Sequence, residues 1–479
     1  MRRIALPLAA VVVVAACADD PVQPTPARTA HASLAVAGAP QRYVVDFNGP
    51  RRNDFAARVS ALGGTVDFIS DGGGFATVSG LSAQAVASLG KAPGVSSVFE
   101  DVVIELSAAR SLGELASANV SDVAAVEPAS IANPAASFRH AYQWNMRAIK
   151  ADAAWLQGNL GSPTVTAAIL DSGIDYDGYD MNGMVDLARS VSFSTSDNAL
   201  INAFFPGRNA IDDFNGHGTN VATQVSSNAT LFAGVNSRAR LMAVKVFGAS
   251  GTGTVSAGLA GLIWAADHGA DVANLSLGLK GGLDKAGNGQ FVGITNRVFN
   301  YAHRAGMVVV VASGNDGLNL DNDGRTFAAY CESPHVICVS ATGPTASGSA
   351  STGPWTNVDA GASYSNTGRN SITVSAPGGT VAGYVTSVCA RHAAFPAGQS
   401  ISFPCNAPPG FFAAIGMAGT SQAAPHVTGV VAQMIAKYGK RQPSQIKQML
   451  LNGLDDLGPP GPDDVYGAGR VNLLKALSQ

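Results

Sequence analysis

Gly419-Thr420-Ser421-Gln422-Ala423-Ala424-Pro425-His426 joins a run of small residues to the start of an apolar helical period. Val427, Val430, Val431, Met434 and Ile435 follow at the spacing of one helix face, so the pattern predicts a helix that opens at the serine. A helix start presents unpaired backbone N–H groups and the positive end of the dipole. Acyl transfer needs such a place, because its tetrahedral intermediate carries an oxyanion. Gly419 lets another chain approach closely, and Pro425 is expected in the first turns, where a missing N–H costs little. A serine that opens a helix is also an ordinary N-cap, and these eight residues alone do not separate the two roles.

The run Gly-Thr-Ser-x-Ala-x-Pro-His resembles the nucleophile motif of the subtilisin-like serine proteases. That resemblance requires an aspartate and a histidine upstream, in the order Asp, His, Ser. An apolar run over 165–170 leads into Asp171-Ser172-Gly173-Ile174-Asp175. It puts a carboxylate at the C-terminal end of a strand, where open α/β sheets bind ligands. Asn215-Gly216-His217-Gly218-Thr219-Asn220-Val221-Ala222 then sets an imidazole between two glycines at the head of a helix. A lone aspartate after a strand is usually a turn residue or cap, and most histidines are not catalytic. Both stretches gain weight from their likeness to the family's Asp and His motifs. Two departures occur: Asn220 stands for the more usual His and Thr223 for the more usual Gly. They bear on helix packing behind the site, not on the chemistry.

Val308-Val309-Val310-Val311-Ala312-Ser313-Gly314-Asn315 resembles the family's oxyanion motif, although an asparagine after a strand is a common turn residue. The resemblance implies that Ser421 is the nucleophile, His217 the base, Asp171 its orienting acid, and Asn315 an oxyanion donor beside the Ser421 N–H. It also implies substrate strands at Gly251, Thr252 and Gly253 and at Ser276, Leu277 and Gly278. The wall Ala312, Ser313 and Gly314 completes the groove. Ala328, Ala329 and Tyr330 lie where the family lines its first specificity pocket, which suggests a medium apolar pocket. The implied fold is a mostly parallel α/β sheet with helices on both faces.

The chain has 479 residues, 46% hydrophobic and only 13% charged, with 55 glycines. That composition fits a compact, loop-rich secreted hydrolase and excludes a disordered chain. A net charge of −3 gives no sign of a nucleic-acid or acidic-lipid partner. After the first residues the longest apolar run is 307–312, too short to cross a bilayer.

Residues 1–17 read as an export signal, with Arg2 and Arg3 ahead of an apolar run. Val14-Ala15-Ala16-Cys17 resembles a lipobox, which would anchor the protein by a lipid on Cys17. Ala16-Cys17-Ala18 also fits ordinary cleavage after Ala18. Either route exports the protein to the cell envelope or beyond. Residues 18–41 read as a polar tether. Residues 42–106 follow a βαββαβ order, the split-βαβ layout, with one closing strand over 95–106 and Ser82 as a cap. This unit resembles the inhibitory propeptide that precedes subtilisin-like catalytic domains, so the chain's own N-terminal unit is an expected partner besides polypeptide substrates. Residues 107–139 read as a linker containing the maturation cut. Residues 140–479 form the catalytic unit, expected to be monomeric. Gln143-Trp144-Asn145-Met146-Arg147-Ala148-Ile149-Lys150-Ala151 resembles the family's opening stretch, and Tyr466-Gly467-Ala468-Gly469-Arg470-Val471-Asn472 its last signature.

Outside the signal four cysteines remain, and the local pairings Cys331–Cys338 and Cys389–Cys405 are expected among three connectivities. Residues 390–412 read as an insertion closed by the second bridge. No cofactor for catalysis is implied. Structural calcium has two weak candidate positions. One is Asp180, whose partner loop after the His helix looks shortened. The other is Asn319, Asp321 and Asp323, where Tyr330 stands in place of the closing acid. His268 and His303 are expected to be structural. Two rival functions remain. A catalytically silent protein could use the groove only to bind peptides. An esterase would need Gly-x-Ser-x-Gly and the order Ser, Asp, His, and both are absent.

Overall fold

A computed structural model describes residues 41–49, 53–106, 118–119, 133–279, 281–322, 324–328, 330–393 and 411–479. The expected export signal, nearly all of the expected tether, most of the expected linker, Asp323, Ala329 and Cys405 lie outside the described residues.

The N-terminal unit runs β1 (Arg42–Phe47), α1 (Phe55–Ala61), β2 (Thr65–Ser70), β3 (Phe75–Ser79), α2 (Ala83–Leu89) and β4 (Val95–Glu100). Its antiparallel sheet has the order β2-β3-β1-β4. The Ser82 hydroxyl accepts from Ala85 N and caps α2. The closing strand is not continuous. It breaks at Asp101 and Val102, and the next strand, β5 (Val103–Glu105), leaves the unit's sheet. The break has its cause in a distant partner: Asp101 turns its carboxylate onto Ser256, at the start of a helix of the larger body that follows.

The body is built on one large sheet. Its central strands are β6 (Thr166–Asp171), β7 (Arg240–Lys245), β9 (Val272–Leu275), β10 (Val308–Ala312), β11 (Val336–Gly343) and β12 (Val374–Pro377), with β8 (Thr252–Thr254) outside it. Spatially they run β7-β6-β9-β10-β11-β12, all parallel. The strand order therefore reverses between β6 and β9, and such a switch point opens a crevice at the strands' C-terminal ends.

Both faces of this sheet are covered. Ala167, Ile169, Val308 and Val310 face one core, while Ala168, Leu170, Val309 and Val311 face the other. Strands buried on two sides need continuous apolar runs rather than alternation, which is what 165–170 and 307–312 supply. On the first face lie α4 (His217–Val225) and α7 (Thr420–Tyr438); on the second lie α5 (Val255–Asp267) and α6 (Gly289–Arg304). A further helix, α3 (Thr195–Phe204), precedes the His217 loop. The antiparallel pair β13 (Val385–Val388) and β14 (Ala414–Met417) leads directly into α7. Cys331 and Cys338 are disulfide-bonded, with Cα atoms 5.2 Å apart. The Cys389–Cys405 pairing falls on a residue outside those described. Among the described residues no helix is long and apolar enough to cross a membrane.

Candidate active site

Asp171 ends β6 and is fully buried. Its Oδ1 lies 2.8 Å from His217 Nδ1 and accepts from Ser172 N at 2.7 Å. The His217 loop is folded by a carboxylate that motif reading passed over. Asp213 accepts from Asn215 N, Gly216 N, Thr219 N and the hydroxyls of Ser172 and Thr219, all within 3.0 Å. Its position four residues before the histidine was the available signal. Gly218 is required by contact, because a Cβ there would sit 2.1 Å from Gly173 O. The Asp171 and His217 loops thus pack backbone to backbone.

Burial pulls the His217 imidazole down, but the charge and hydrogen bond of Asp171 and the charge of Asp213 outweigh it, so its pKa is raised. His217 Nε2 is buried and has no hydrogen-bond partner among the described residues.

Ser421 is the second residue of α7. Its hydroxyl donates to Ser276 O at 3.3 Å. Pro425 lies deeper in the helix than the first turn and removes the donor that would bond Ser421 O. The Ser276 hydroxyl replaces it, donating to Ser421 O at 2.7 Å. Proline in that position therefore ties the serine's backbone to the strand end opposite.

Asn315 follows β10, and its Oδ1 accepts from Thr420 N and Thr420 Oγ1, both at 2.9 Å. The Thr420 hydroxyl in turn accepts from Gly314 N at 3.1 Å. With the oxygen fixed, the Asn315 Nδ2 is the end of the amide left for the cleft. Thr420 is a second residue the motif reading did not single out.

One cleft is lined by Ser276, Leu277, Gly278, Ala312, Ser313, Gly314, Asn315 and Ser421 together. Leu318, Leu320, Thr326 and Ala328 line it too, with Asp316 as the one carboxylate among the described lining residues. Tyr330 is not part of it: the ring is fully buried and stacks on Phe299 with centroids 5.7 Å apart. The Tyr330 backbone is left-handed, with φ at 79°.

Gly251, Thr252 and Gly253 form an edge already occupied by this chain. β5 pairs antiparallel with β8, matching Glu105 to Thr252, Ile104 to Gly253 and Val103 to Thr254. Leu106 N donates to Gly251 O at 2.8 Å. Glycine is needed at 253, where a Cβ would lie 2.4 Å from Val246 O. Ile104 is 1% exposed and joins the body's second core. The same docking surface pairs Asp46 with Arg297 and sets Phe99 edge-on to Phe291 with centroids 4.7 Å apart.

The calcium candidates are engaged otherwise. The two Asp180 oxygens accept from Leu231 N at 2.7 Å and Phe232 N at 3.1 Å. Burial pushes that carboxyl up to about 7 against those donors. Asp321 accepts four donors from Asn370 and Ser371, and Asn319 caps Asp321 N while donating to Asp464. The described root of the 390–412 insertion is tied to the loops that follow Asp171 and precede His217. Arg391 Nε donates to Asp175 Oδ2 at 2.9 Å, and His392 Nδ1 lies 2.9 Å from Asp212 Oδ2. His268 stacks on Trp264 and His303 on His335, both outside the cleft.

Residues 162–469 match the sequence model of the Subtilase family. Subtilisin DY of Bacillus licheniformis is 30% identical over 335 residues, 68% of this chain and 96% of that protein. Thermitase of Thermoactinomyces vulgaris is 30% identical over 338 residues, 70% of this chain and 95% of that protein. Among solved structures, the epidermin leader peptide processing serine protease of Staphylococcus aureus superposes with a TM-score of 0.66 at 19% identity, covering 91% of this chain and 97% of that one. Fervidolysin of Fervidobacterium pennivorans, a keratinolytic enzyme, gives 0.63 at 22% identity, covering 92% and 61%. These two likenesses speak to the fold.

Proposed function

The chain belongs to the subtilase family of serine proteases, and from that premise we propose that it is an exported endopeptidase made as a self-inhibited precursor. Ser421 Oγ attacks the peptide carbonyl carbon while His217 Nε2 takes its proton. The C–N bond then breaks as His217 returns that proton to the leaving amine, giving an acyl-enzyme that water hydrolyses by the same route. Asp171 holds the imidazole with Nε2 toward the serine and stabilises the charged ring. Asn315 Nδ2 and the Ser421 N–H hold the oxyanion. For the proton transfer the Ser421 hydroxyl must exchange its Ser276 O acceptor for His217 Nε2. Peptide hydrolysis in this family requires no catalytic cofactor, and we read Asp180 and Asp321 as loop clamps rather than calcium ligands.

The observation that carries the reading is the Asp171–His217 contact at 2.8 Å beside a helix that presents Ser421 to the Asn315 cleft. Substrates would lie extended between 251–253 and 276–278, held by backbone hydrogen bonds. The side chain before the cut would enter the leucine-lined cleft, which favours medium apolar residues. Residues 42–106 act as the propeptide, and its tail 103–106 blocks the substrate edge. The cut then lies in 107–139, releasing the 140–479 catalytic domain as a monomer. Residues 1–17 direct export, and Cys17 is the place of a lipid anchor.

A peptide phosphonate that reacts only with activated serines tests the assignment. It should label the protein once, at Ser421, and abolish peptidase activity. Labelling elsewhere, or activity that survives full labelling, contradicts it.

A further inference from the structure

Asn220 stands where the family resemblance expects a histidine, one turn into the helix that His217 begins. The side chain is fully buried. Its Nδ2 donates to Ser387 Oγ at 2.8 Å, and its Oδ1 accepts from Gln422 Nε2 at 3.1 Å. Gln422 follows Ser421 on α7, and Ser387 belongs to β13. One amide therefore ties the base helix, the nucleophile helix and the hairpin strand at their catalytic ends.

The amide sits in a larger buried network. Gln224 Oε1 accepts from Asn145 Nδ2 at 3.0 Å, and Gln224 Nε2 donates to Thr386 O at 3.0 Å. His426 Nδ1 lies 2.7 Å from Gln422 O, and its Nε2 lies 2.7 Å from Asn145 Nδ2. The imidazole therefore donates through Nδ1 and accepts through Nε2. Burial holds it neutral, its pKa pulled down to about 4. Apolar helix faces can slide past each other at little cost. A network of buried amides cannot, because a slip leaves dry polar groups unpaired.

We propose that Asn220 is a positioning residue that fixes the Ser421 helix against the His217 helix, and so governs turnover rather than substrate affinity. The inference rests on the roles assigned to Ser421 and His217 above. Among the described residues the Asn220 side chain bonds to Ser387 and Gln422 and to neither substrate edge, so binding is left alone. Proton transfer from hydroxyl to imidazole is sensitive to displacement, and a misplacement of about 1 Å costs roughly 10²-fold.

The test uses the full chain after self-processing, with Asn220→Leu, Asn220→His and Ser387→Ala beside the wild type. Steady-state kinetics, melting temperature and the rate of phosphonate labelling are measured. Asn220→Leu should lower kcat and the labelling rate by about 10- to 100-fold with KM within about twofold. Asn220→His, which restores a polar bridge, should recover most of the loss. Ser387→Ala removes half of the bridge at little change in volume, should show a smaller loss of the same kind, and serves if the leucine variant folds poorly. Adding it to Asn220→Leu should cost nothing more. Folded variants with wild-type kcat and labelling rate, or a rise in KM at constant kcat, would overturn the inference. Failure of the wild type to label at Ser421 would overturn the parent assignment instead, and is read separately.

Discussion

The N-terminal unit and the catalytic body both rest on a buried sheet, but they cover it differently. The body closes both faces of its sheet with its own helices. The unit closes only one. Tyr43, Val45, Phe47, Ala76 and Val78 pack on its own α1 and α2, while Val44 and Phe75 on the other face join the body's core. The strand alternation that splits β1 between two cores is a period of two, as a sheet requires. The body can therefore keep its sheet dry without the unit, whereas the unit needs the body for half of its cover. That asymmetry is what the propeptide role proposed for residues 42–106 would need.

Mutations can separate the two halves of that contrast. The largest expected effect falls on the chemistry alone. Ser421→Ala should lower turnover by about 10⁶-fold, the size seen when a subtilisin loses its serine, while the protein stays folded. Asp171→Asn should cost about 10⁴-fold by leaving the imidazole in the wrong tautomer. Asn315→Ala should lower kcat by roughly 10²–10³, again a magnitude known from a subtilisin, and leave KM nearly intact. A large rise in KM at normal kcat would remove Asn315 from the oxyanion role.

Next comes the grip of the unit. Ile104→Ala removes the buried anchor of β5 and should weaken the docked tail by about 2 kcal/mol or more. That corresponds to roughly 30-fold, read as a shorter lag before activity appears in the full chain. An unchanged lag would mean that the tail is not what blocks the edge. The smallest effect is on pH. His217 must be neutral to take the serine proton, and its pKa is raised by Asp171 and Asp213 despite burial. Activity should therefore fall on acidification with a midpoint above the ordinary imidazole value of about 6.5. Asp213→Asn should move that midpoint down; a midpoint already below the ordinary value in the wild type would contradict the assigned electrostatics.

Much of the site was legible because its chemistry is local in sequence. Gly-Thr-Ser, Gly-His-Gly and the carboxylate closing an apolar strand each carry their meaning within eight residues, and the strand and helix periods around them set the sheet. What was not legible depends on partners far along the chain. Asp180 and Asp321 take donors from Leu231, Phe232, Asn370 and Ser371, which lie far along the chain from them. Pro425 looked harmless as a first-turn residue, yet its missing N–H matters because Ser276, some 150 positions away, replaces it. The break at Asp101 interrupts a run that reads as one strand, since the pull comes from Ser256.

The most direct test follows the intact chain of the wild type and of Ser421→Ala over time, with N-terminal sequencing of each product. The account predicts that the wild type cuts itself within 107–139 and gains activity as the fragment before the cut disappears. Ser421→Ala should remain joined across that stretch. Equal processing of both proteins in isolation would contradict it.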